Sequence, residues 1–303
     1  MQRKVIYGYL RGNLGNQLFI YAAIRRMMKK YYDDDCEVVL DDSENIRKNC
    51  LINFRLNENI KFAKVKLPFF KRVLRFLFYK KGTFDFQYDE PESFFEYEKK
   101  VQPILNKCGL YICLDGYLPM PDKMKNEIVV DGYFQSDKYF NDIRNLLFHE
   151  LTVDKEINDN VIRMTKLAEE TNSICLSLRL GDFVGNSVHQ VCSVDYYRRA
   201  ISIMKDRVSE PVFFVFSDNE SKARELFKDY DINIIFEDEG NEDYEKLYMM
   251  SRCKHFILSN SSFSWWVQYL SLNSDKIVVA PNRWYNSAIP CDIYQDDWIL
   301  IEP

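Results

Sequence analysis

Three polar loops hold the side chains best suited to chemistry. The first, GNLGNQ at residues 12–17, stands where a run of β-branched and aromatic residues gives way to a long helical run. Glycines there permit close backbone approach or a positive φ, the opening turn of a helix offers unpaired N–H groups, and Asn16 and Gln17 can hydrogen-bond a ligand without adding charge. Gly15, Asn16 and Gln17 are therefore candidate ligand contacts. A purely structural turn is the competing role, since the pattern is not GxGxxG. The second loop, SLRLGDF at 177–183, places Arg179 near the carboxyl edge of a strand, where open α/β sheets bind ligands. Its planar donor fork suits a phosphate or diphosphate, and a salt bridge to Asp182 that orders the loop is the alternative. Asp182 is in turn a candidate proton acceptor or a partner that orients Arg179. The third loop, within CKHFILSNSSFSWWVQYL at 253–270, sets Asn260, Ser261, Ser262 and Ser264 around the start of a helix that carries Trp265 and Trp266. Hydroxyls and free amides at such a start can hold an anionic phosphate in the favourable field of the helix dipole. Equally, one of them caps the helix while the tryptophans fill the core.

Other chemistries lack support. The three histidines, His149, His189 and His255, are widely separated and show neither HExxH nor zinc-site spacing, so no transition metal is expected. Carboxylates and substrate phosphates could still supply a Mg²⁺ site, but the acidic pairs at 33–35, 41–42 and 296–297 read as solvated loops. There is no GxxxxGK[ST] loop and no GxSxG elbow.

These loops need a scaffold large enough to position them. The 303 residues suffice for two domains of roughly 150 residues each. With 47% hydrophobic and 29% charged residues, the composition is that of a soluble globular protein rather than a disordered or fibrous chain. The net charge of −5 is not the basic footprint of a nucleic-acid binder, so no nucleic-acid partner is expected. Eight cysteines are too sparse for a disulfide scaffold, and reduced thiols in the cytoplasm are the simplest reading. No signal-peptide run and no apolar stretch of spanning length occurs.

The element pattern is α/β. KVIYGYL, the 12–17 loop, LFIYAAIRRMMKKYY and CEVVLDD read as strand, turn, helix and strand. Residues 43–125 carry no long clean period, although the stretch after Pro68 reads as a basic amphipathic helix. EIVVDGYFQSDKYFNDIRNLLF reads as strand, Gly turn and helix, and VDKEINDNVIRMTKLAEE as a helix with a charged face. In the C-terminal half SICLSLR, PVFFVFS, INIIFED, HFILS and KIVVAP are five short apolar strands, with helices expected to begin near Val194, Asn219, Asn241 and Ser261. The domain junction is expected near residues 152–172, drawn at 160/161, with a terminal segment as a candidate to cross back and brace the first domain.

Taken in order, several motifs resemble the bacterial alpha-1,2-fucosyltransferase family, glycosyltransferase family 11, which shares its donor-binding pattern with eukaryotic H-antigen fucosyltransferases. The matching stretches are GNLGNQLFIYA at 12–22, DGYFQSDKYF at 131–140, SLRLGDF at 177–183, FFVFSDN at 213–219, LYMMSRCKHFILSNSSFSWW at 247–266 and KIVVAPNRWY at 276–285. The resemblance implies a GT-B-like α/β fold of two facing Rossmann-like domains, residues 1–160 on the acceptor side and 161–303 binding GDP-fucose. It implies inverting transfer of L-fucose to the 2-hydroxyl of a terminal galactose, with no cofactor and no metal. Another GDP-sugar transferase, such as an alpha-1,6-fucosyltransferase, or a silent GDP-sugar- or glycan-binding protein are the alternatives. Arg179 matches the first arginine of the family's HxRRGD-like motif, while Ser177 and Leu180 stand at its histidine and second arginine. On this reading Arg179 and Asp182 are the catalytic candidates. Gly15, Asn16, Gln17, Arg179, Asp218, Glu237, Asp238, Asn260, Ser261, Ser262 and Phe263 are the donor-binding ones. The acceptor is a galactose-terminated glycan or a lipid-linked oligosaccharide, and the expected location is the cytoplasm, extending to the inner face of its membrane. The acid-free basic stretch at 61–81 raises peripheral membrane contact, with Lys71, Arg72 and Arg75 toward headgroups and Leu74, Phe76, Leu77 and Phe78 in the interface. Packing of those apolar residues inside the first domain is the other reading.

Overall fold

A computed structural model describes residues 3–81, 89–238 and 240–303, with the side chain of Lys81 outside the description. The chain forms two compact units. One is Met1–Asp154 with Ser287–Tyr294, the other Lys155–Asn286 with Gln295–Pro303. Each is built on a wholly parallel sheet with helices, the two Rossmann-like units of a GT-B-like fold.

The first unit runs β1 (Val5–Tyr9), α1 (Leu14–Tyr32), β2 (Glu37–Asp41), β3 (Ile60–Phe62), α2 (Phe69–Lys81), α3 (Pro91–Lys107), β4 (Leu110–Cys113), β5 (Glu127–Gly132) and α4 (Arg144–Glu150). The sheet order is β3-β2-β1-β5-β4, so its direction of growth reverses between β1 and β5. Strands covered on both faces must be apolar throughout, which is why Ile128, Val129 and Val130 are all fully buried. Gly132 has φ +146° and a Cβ built there would lie 1.8 Å from the Cys113 carbonyl oxygen, so only glycine lets β5 leave the sheet beside β4. Ser287–Tyr294 joins this unit through the Gly116 N–H to the Pro290 carbonyl at 3.0 Å and through a Lys138–Asp292 ion pair at 2.5 Å.

Arginines and one aspartate tie the carboxyl edge of this sheet together. The Asp131 carboxylate is wholly buried and accepts from Arg11 Nε at 2.8 Å and Arg75 Nε at 2.6 Å. Arg75 also forks onto Glu44 at 3.1 and 2.6 Å and lies 3.9 Å above the Tyr9 ring. Burial alone would raise the Asp131 carboxyl, but the charges and hydrogen bonds of Arg11 and Arg75 outweigh it and hold it below its ordinary range.

These contacts correct the reading of the basic stretch. Lys71 is buried and donates to the Glu127 carbonyl and carboxylate, both at 2.9 Å, and Phe78 is buried between α2 and α3. Helical spacing turns 71, 75 and 78 inward together, so of the trio Lys71, Arg72 and Arg75 only Arg72 is exposed. Asp41 is likewise no solvated loop residue, being buried and accepting from the Ser43 and Val65 amides at 2.8 and 2.7 Å.

The second unit runs α5 (Asp159–Glu170), β6 (Asn172–Leu178), α6 (Val194–Arg207), β7 (Pro211–Ser217), α7 (Glu220–Phe227), β8 (Asn233–Phe236), α8 (Asp243–Met250), β9 (His255–Ile257), α9 (Ser262–Tyr269), β10 (Val278–Pro281) and β11 (Ile299–Ile301). Its order, β11-β10-β9-β6-β7-β8, reverses between β6 and β9. Ser193 and Asn219 cap α6 and α7 by accepting from the Tyr196 and Lys222 amides, and Glu242 with Glu245 forms a capping box on α8. Leu176, Phe213, Val215, Tyr196, Tyr197 and Met204 fill the core on the α6 side.

Two buried acids of the first unit generate predictions. Asp131→Asn leaves two part-buried guanidinium groups short of charge around a buried site and should lower the urea-measured stability of the first unit by about 3 kcal/mol. Glu98 in α3 accepts from the Leu114 and Asp115 amides at 2.8 and 3.3 Å, while burial, aided by the Asp115 charge, pushes its carboxyl up to about 8. The folded state therefore keeps a proton that the unfolded chain releases from an ordinary carboxylate pKa. Its contribution is present below that pKa and lost as pH rises to about 8. A stability profile should decline across that window, and Glu98→Gln should remove this part of the decline. An unchanged slope would mean that Glu98 is ionised in the folded protein.

Candidate active site

The reversal between β6 and β9 brings two of the sequence-selected loops side by side. Arg179 follows the end of β6, and Ser261 precedes α9 just beyond β9; adjacent parallel strands deliver both to one edge. There Arg179 Nη2 donates to Ser261 Oγ at 3.1 Å, and Nη1 lies 3.3 Å from Asp218 Oδ2 and 3.6 Å from Asp182 Oδ1. Asp218 Oδ1 accepts from the Leu180 and Gly181 amides at 2.7 and 2.8 Å. A Cβ on Gly181 would sit 3.0 Å from Asp218 Cγ, so glycine is what lets the loop lie against the carboxylate. Burial alone would raise the Asp218 carboxyl. A hydrogen bond with the Asp182 carboxyl, the Leu180 amide and Arg179 together hold it below its ordinary range. The result is a guanidinium, 23% exposed, fixed at the opening turn of a helix whose first turn holds no acid. Such a place favours an anion.

The other selected residues of this unit take different places. Asn260 is buried and donates to the His189 and Trp284 carbonyls at 2.9 and 3.0 Å, which sets the turn before α9. Ser262 and Phe263 open α9 and are half-buried. Glu237 lies past β8, buried against Lys246 at 3.2 Å, and burial raises its carboxyl despite that partner. Asp238 is exposed and accepts from the Asn160 amide. Ser177, at the histidine position of the motif, is buried and shares a 2.6 Å hydrogen bond with Ser264, whose hydroxyl is 3.2 Å from Ser259. Leu180, at the second arginine position, packs on the core.

In the first unit Gly15 is buried and Asn16 Oδ1 accepts from Gln135 at 2.8 Å. Gln17 is wholly buried. Its amide donates to the Gly12 and Lys48 carbonyls at 2.9 and 2.8 Å and accepts from the Cys50 amide at 2.9 Å, so it fastens the loop from within. Gly12 has φ +66°, and Asn45 pairs with both its N–H and its carbonyl.

Reading the motifs alone passed over an aromatic ladder beside Arg179. The guanidinium carbon lies 5.1 Å from the Phe183 ring centre, Phe183 stacks on His189 at 5.3 Å, and His189 meets Tyr285 edge-on at 5.5 Å. Burial lowers the His189 pKa, opposed by the Asp182 charge. The available signals were Phe183 and Tyr285 at the close of the SLRLGDF and KIVVAPNRWY motifs; their meeting through His189 carries no local mark. Among the described residues no group of three or more His, Cys, Asp or Glu is placed to hold a metal. None of the eight cysteines forms a disulfide, and no described helix is long and apolar enough to cross a membrane.

Comparison with known proteins agrees with this architecture. Over 97% of this chain and 99% of the relative, the sequence is 28% identical to the O-antigen biosynthesis glycosyltransferase WbnK of Escherichia coli. It is also 28% identical to an alpha-1,2-colitosyltransferase of Escherichia coli, over 98% of this chain and 99% of the relative. The crystal structure of fucosyltransferase NodZ from Bradyrhizobium shares the fold, with a TM-score of 0.54 at 14% identity, covering 89% of this chain and 94% of that one. Residues 118–302 match the model of glycosyl transferase family 11, more than half of the chain. The chain belongs to that family and is a glycosyltransferase.

Proposed function

We propose that the enzyme transfers L-fucose from GDP-β-L-fucose to the 2-hydroxyl of a terminal galactose, inverting the anomeric carbon to an α-1,2 linkage. GDP-sugar-dependent transfer is the coarser part of this reading, supported by the family and by the whole-length relatives. The observation that carries it is the guanidinium of Arg179 held at the opening turn of α9 by Ser261 and Asp218. Donors fixed there would hold the diphosphate and stabilise the negative charge it gains as the sugar leaves. The acceptor oxygen forms its bond to the anomeric carbon as the carbon–oxygen bond to GDP breaks. The bonding pair departs with the β-phosphate, and the hydroxyl proton passes to solvent water. Asn260, Ser262 and Phe263 complete the turn around the diphosphate in this reading, with Glu237 and Asp238 toward the nucleoside and Gly15 and Asn16 serving the acceptor-side unit. Gln17 supports the latter loop rather than touching ligand, because its amide is already bonded within the protein. Asp182, bonded to Asp218 and paired with Arg179, is assigned to ordering the clamp. The alpha-1,2-colitosyltransferase relative favours one second reading, the same linkage made with a different deoxysugar.

Incubation with GDP-fucose and a panel of galactosides should release GDP and give a product whose NMR spectrum shows the α-1,2 linkage, with EDTA present throughout. Transfer from GDP-colitose alone would replace the donor sugar and keep the linkage. No transfer by folded protein from either donor would refute the reading. Arg179→Lys keeps the charge but loses the fork and should cut kcat/KM about 10-fold to 100-fold, with Arg179→Ala lower still. Near-parent activity and GDP affinity in either folded variant would make Arg179 structural. Asp182→Asn separates two roles: as a clamp partner it should raise the donor KM several-fold, whereas loss of a general base would lower kcat by about 100-fold or more without weakening the donor.

A further inference from the structure

The first unit carries a helix turned inside out. Along α2 the inward positions hold Lys71 and Arg75, paired with Glu127, Asp131 and Glu44, while Phe69, Arg72, Val73, Phe76, Leu77 and Lys80 follow the i, i+3, i+4, i+7, i+8, i+11 rhythm of the opposite face. Phe69, Phe76 and Leu77 on that face are 73%, 61% and 52% exposed. Among the described residues the only exposed phenylalanines are Phe69, Phe70 and Phe76, all in the first two turns of α2. Scattered apolar residues are ordinary on a soluble surface, but a clustered aromatic face is not. Beside it, α2 and α3 enclose an apolar groove of about 540 Å³, lined by Leu74, Leu77, Phe78, Tyr97, Val101 and Ile104, with Lys80 at its polar margin. Ile104 is itself 62% exposed at that groove.

Charge decides what fits this face. The chain as a whole carries −5, yet between 61 and 81 there is no acid, and Lys61, Lys64, Lys66, Arg72 and Lys80 are exposed. Exposed aromatics that share a helix face with Arg72 and Lys80, on a protein of opposite net charge, complement a surface that is anionic outside and apolar within. The 13 residues of α2 span about 20 Å, too short to cross a bilayer and suited to lying along it.

We propose that the α2–α3 face docks on an anionic lipid bilayer, with Phe69, Phe76, Leu77 and Ile104 entering the headgroup–acyl boundary and Arg72 and Lys80 meeting anionic headgroups. Of the trio the linear sequence points to, only Arg72 takes part, because Lys71 and Arg75 are committed inside the fold. The proposal does not depend on the donor reading, since none of these residues belongs to the diphosphate clamp.

The test is cosedimentation of the full-length protein with vesicles of phosphatidylcholine alone and of phosphatidylcholine with a quarter phosphatidylglycerol, at low and high salt. Binding should require the anionic lipid and weaken with salt. It should fall about fivefold for each charge removed in Arg72→Gln and Lys80→Gln, and be abolished by Phe76→Ser with Leu77→Ser. An exposed control on α6, Lys205→Gln, should bind as the parent does. All variants should keep the parent melting temperature and transfer to a water-soluble acceptor at the parent rate. Absence of binding, equal binding to neutral vesicles, or binding indifferent to both sets of substitutions overturns the proposal. So does concentration-dependent dimerisation that the Phe76→Ser, Leu77→Ser variant removes while lipid binding is absent, which would make the face a contact between copies.

Discussion

Each unit depends on a carboxylate that grips arginine where its parallel sheet reverses direction. In a parallel sheet every strand ends on the same edge, and reversal of the strand order leaves neighbouring loops diverging from a crevice there. In the first unit that crevice separates β1 from β5, and Asp131 on β5 holds Arg11 from the end of β1. In the second unit it separates β6 from β9, and Asp218 past the end of β7 holds Arg179 and the loop behind it. An arginine in such a place would otherwise swing freely or recruit any passing anion. The aspartate fixes the fork at the cost of neutralising part of its charge, and the degree of burial sets the balance. Asp131 is sealed and shared between two arginines, so its cluster is structural. Asp218 is part-exposed, and Arg179, 23% exposed, donates to Ser261 at the start of α9.

The divergence at Ser177 and Leu180 from the family pattern has a local physical account. A histidine at 177 would have to occupy a buried site that here accommodates two hydroxyls 2.6 Å apart, linking the end of β6 directly to α9. Leu180 points its side chain at the core while its amide serves Asp218, so position 180 contributes through its backbone. The strand-end geometry around Arg179 is therefore held by Ser264, Ser261 and Asp218, residues far from it in sequence.

The sequence was most informative where structure is local. In the C-terminal half five strands and the starts of α6 to α9 fall within about two residues of their expected places, because each is a short apolar run bounded by a capping residue such as Ser193 or Asn219. β3, β4 and β11 were not legible. Two are three-residue edge strands, and β4 is four buried residues whose partner β5 sets them. α3 was hidden by Glu98 and Gln102 on its inner face and by Pro103 within it. Nor could spacing alone reveal that the cations of α2 face inward, since amphipathicity says which residues share a face and only Asp131, Glu127 and Glu44 decide which face is buried. Among the site residues Arg179 and Ser261 could be picked singly. Their meeting is a product of strand order.

Connectivity at the end of the chain has a consequence for biosynthesis. Ser287–Tyr294 belongs to the first unit and Gln295–Pro303 to the second, where β11 supplies the edge strand beside β10. The first unit thus lacks the backbone that pairs with Gly116, and the second lacks an edge strand, until residues 287–301 have left the ribosome. The sheet of the first unit, β3-β2-β1-β5-β4, is complete without this stretch, whereas the second waits with its β10 edge open, the state in which a nascent chain most needs a chaperone's shelter.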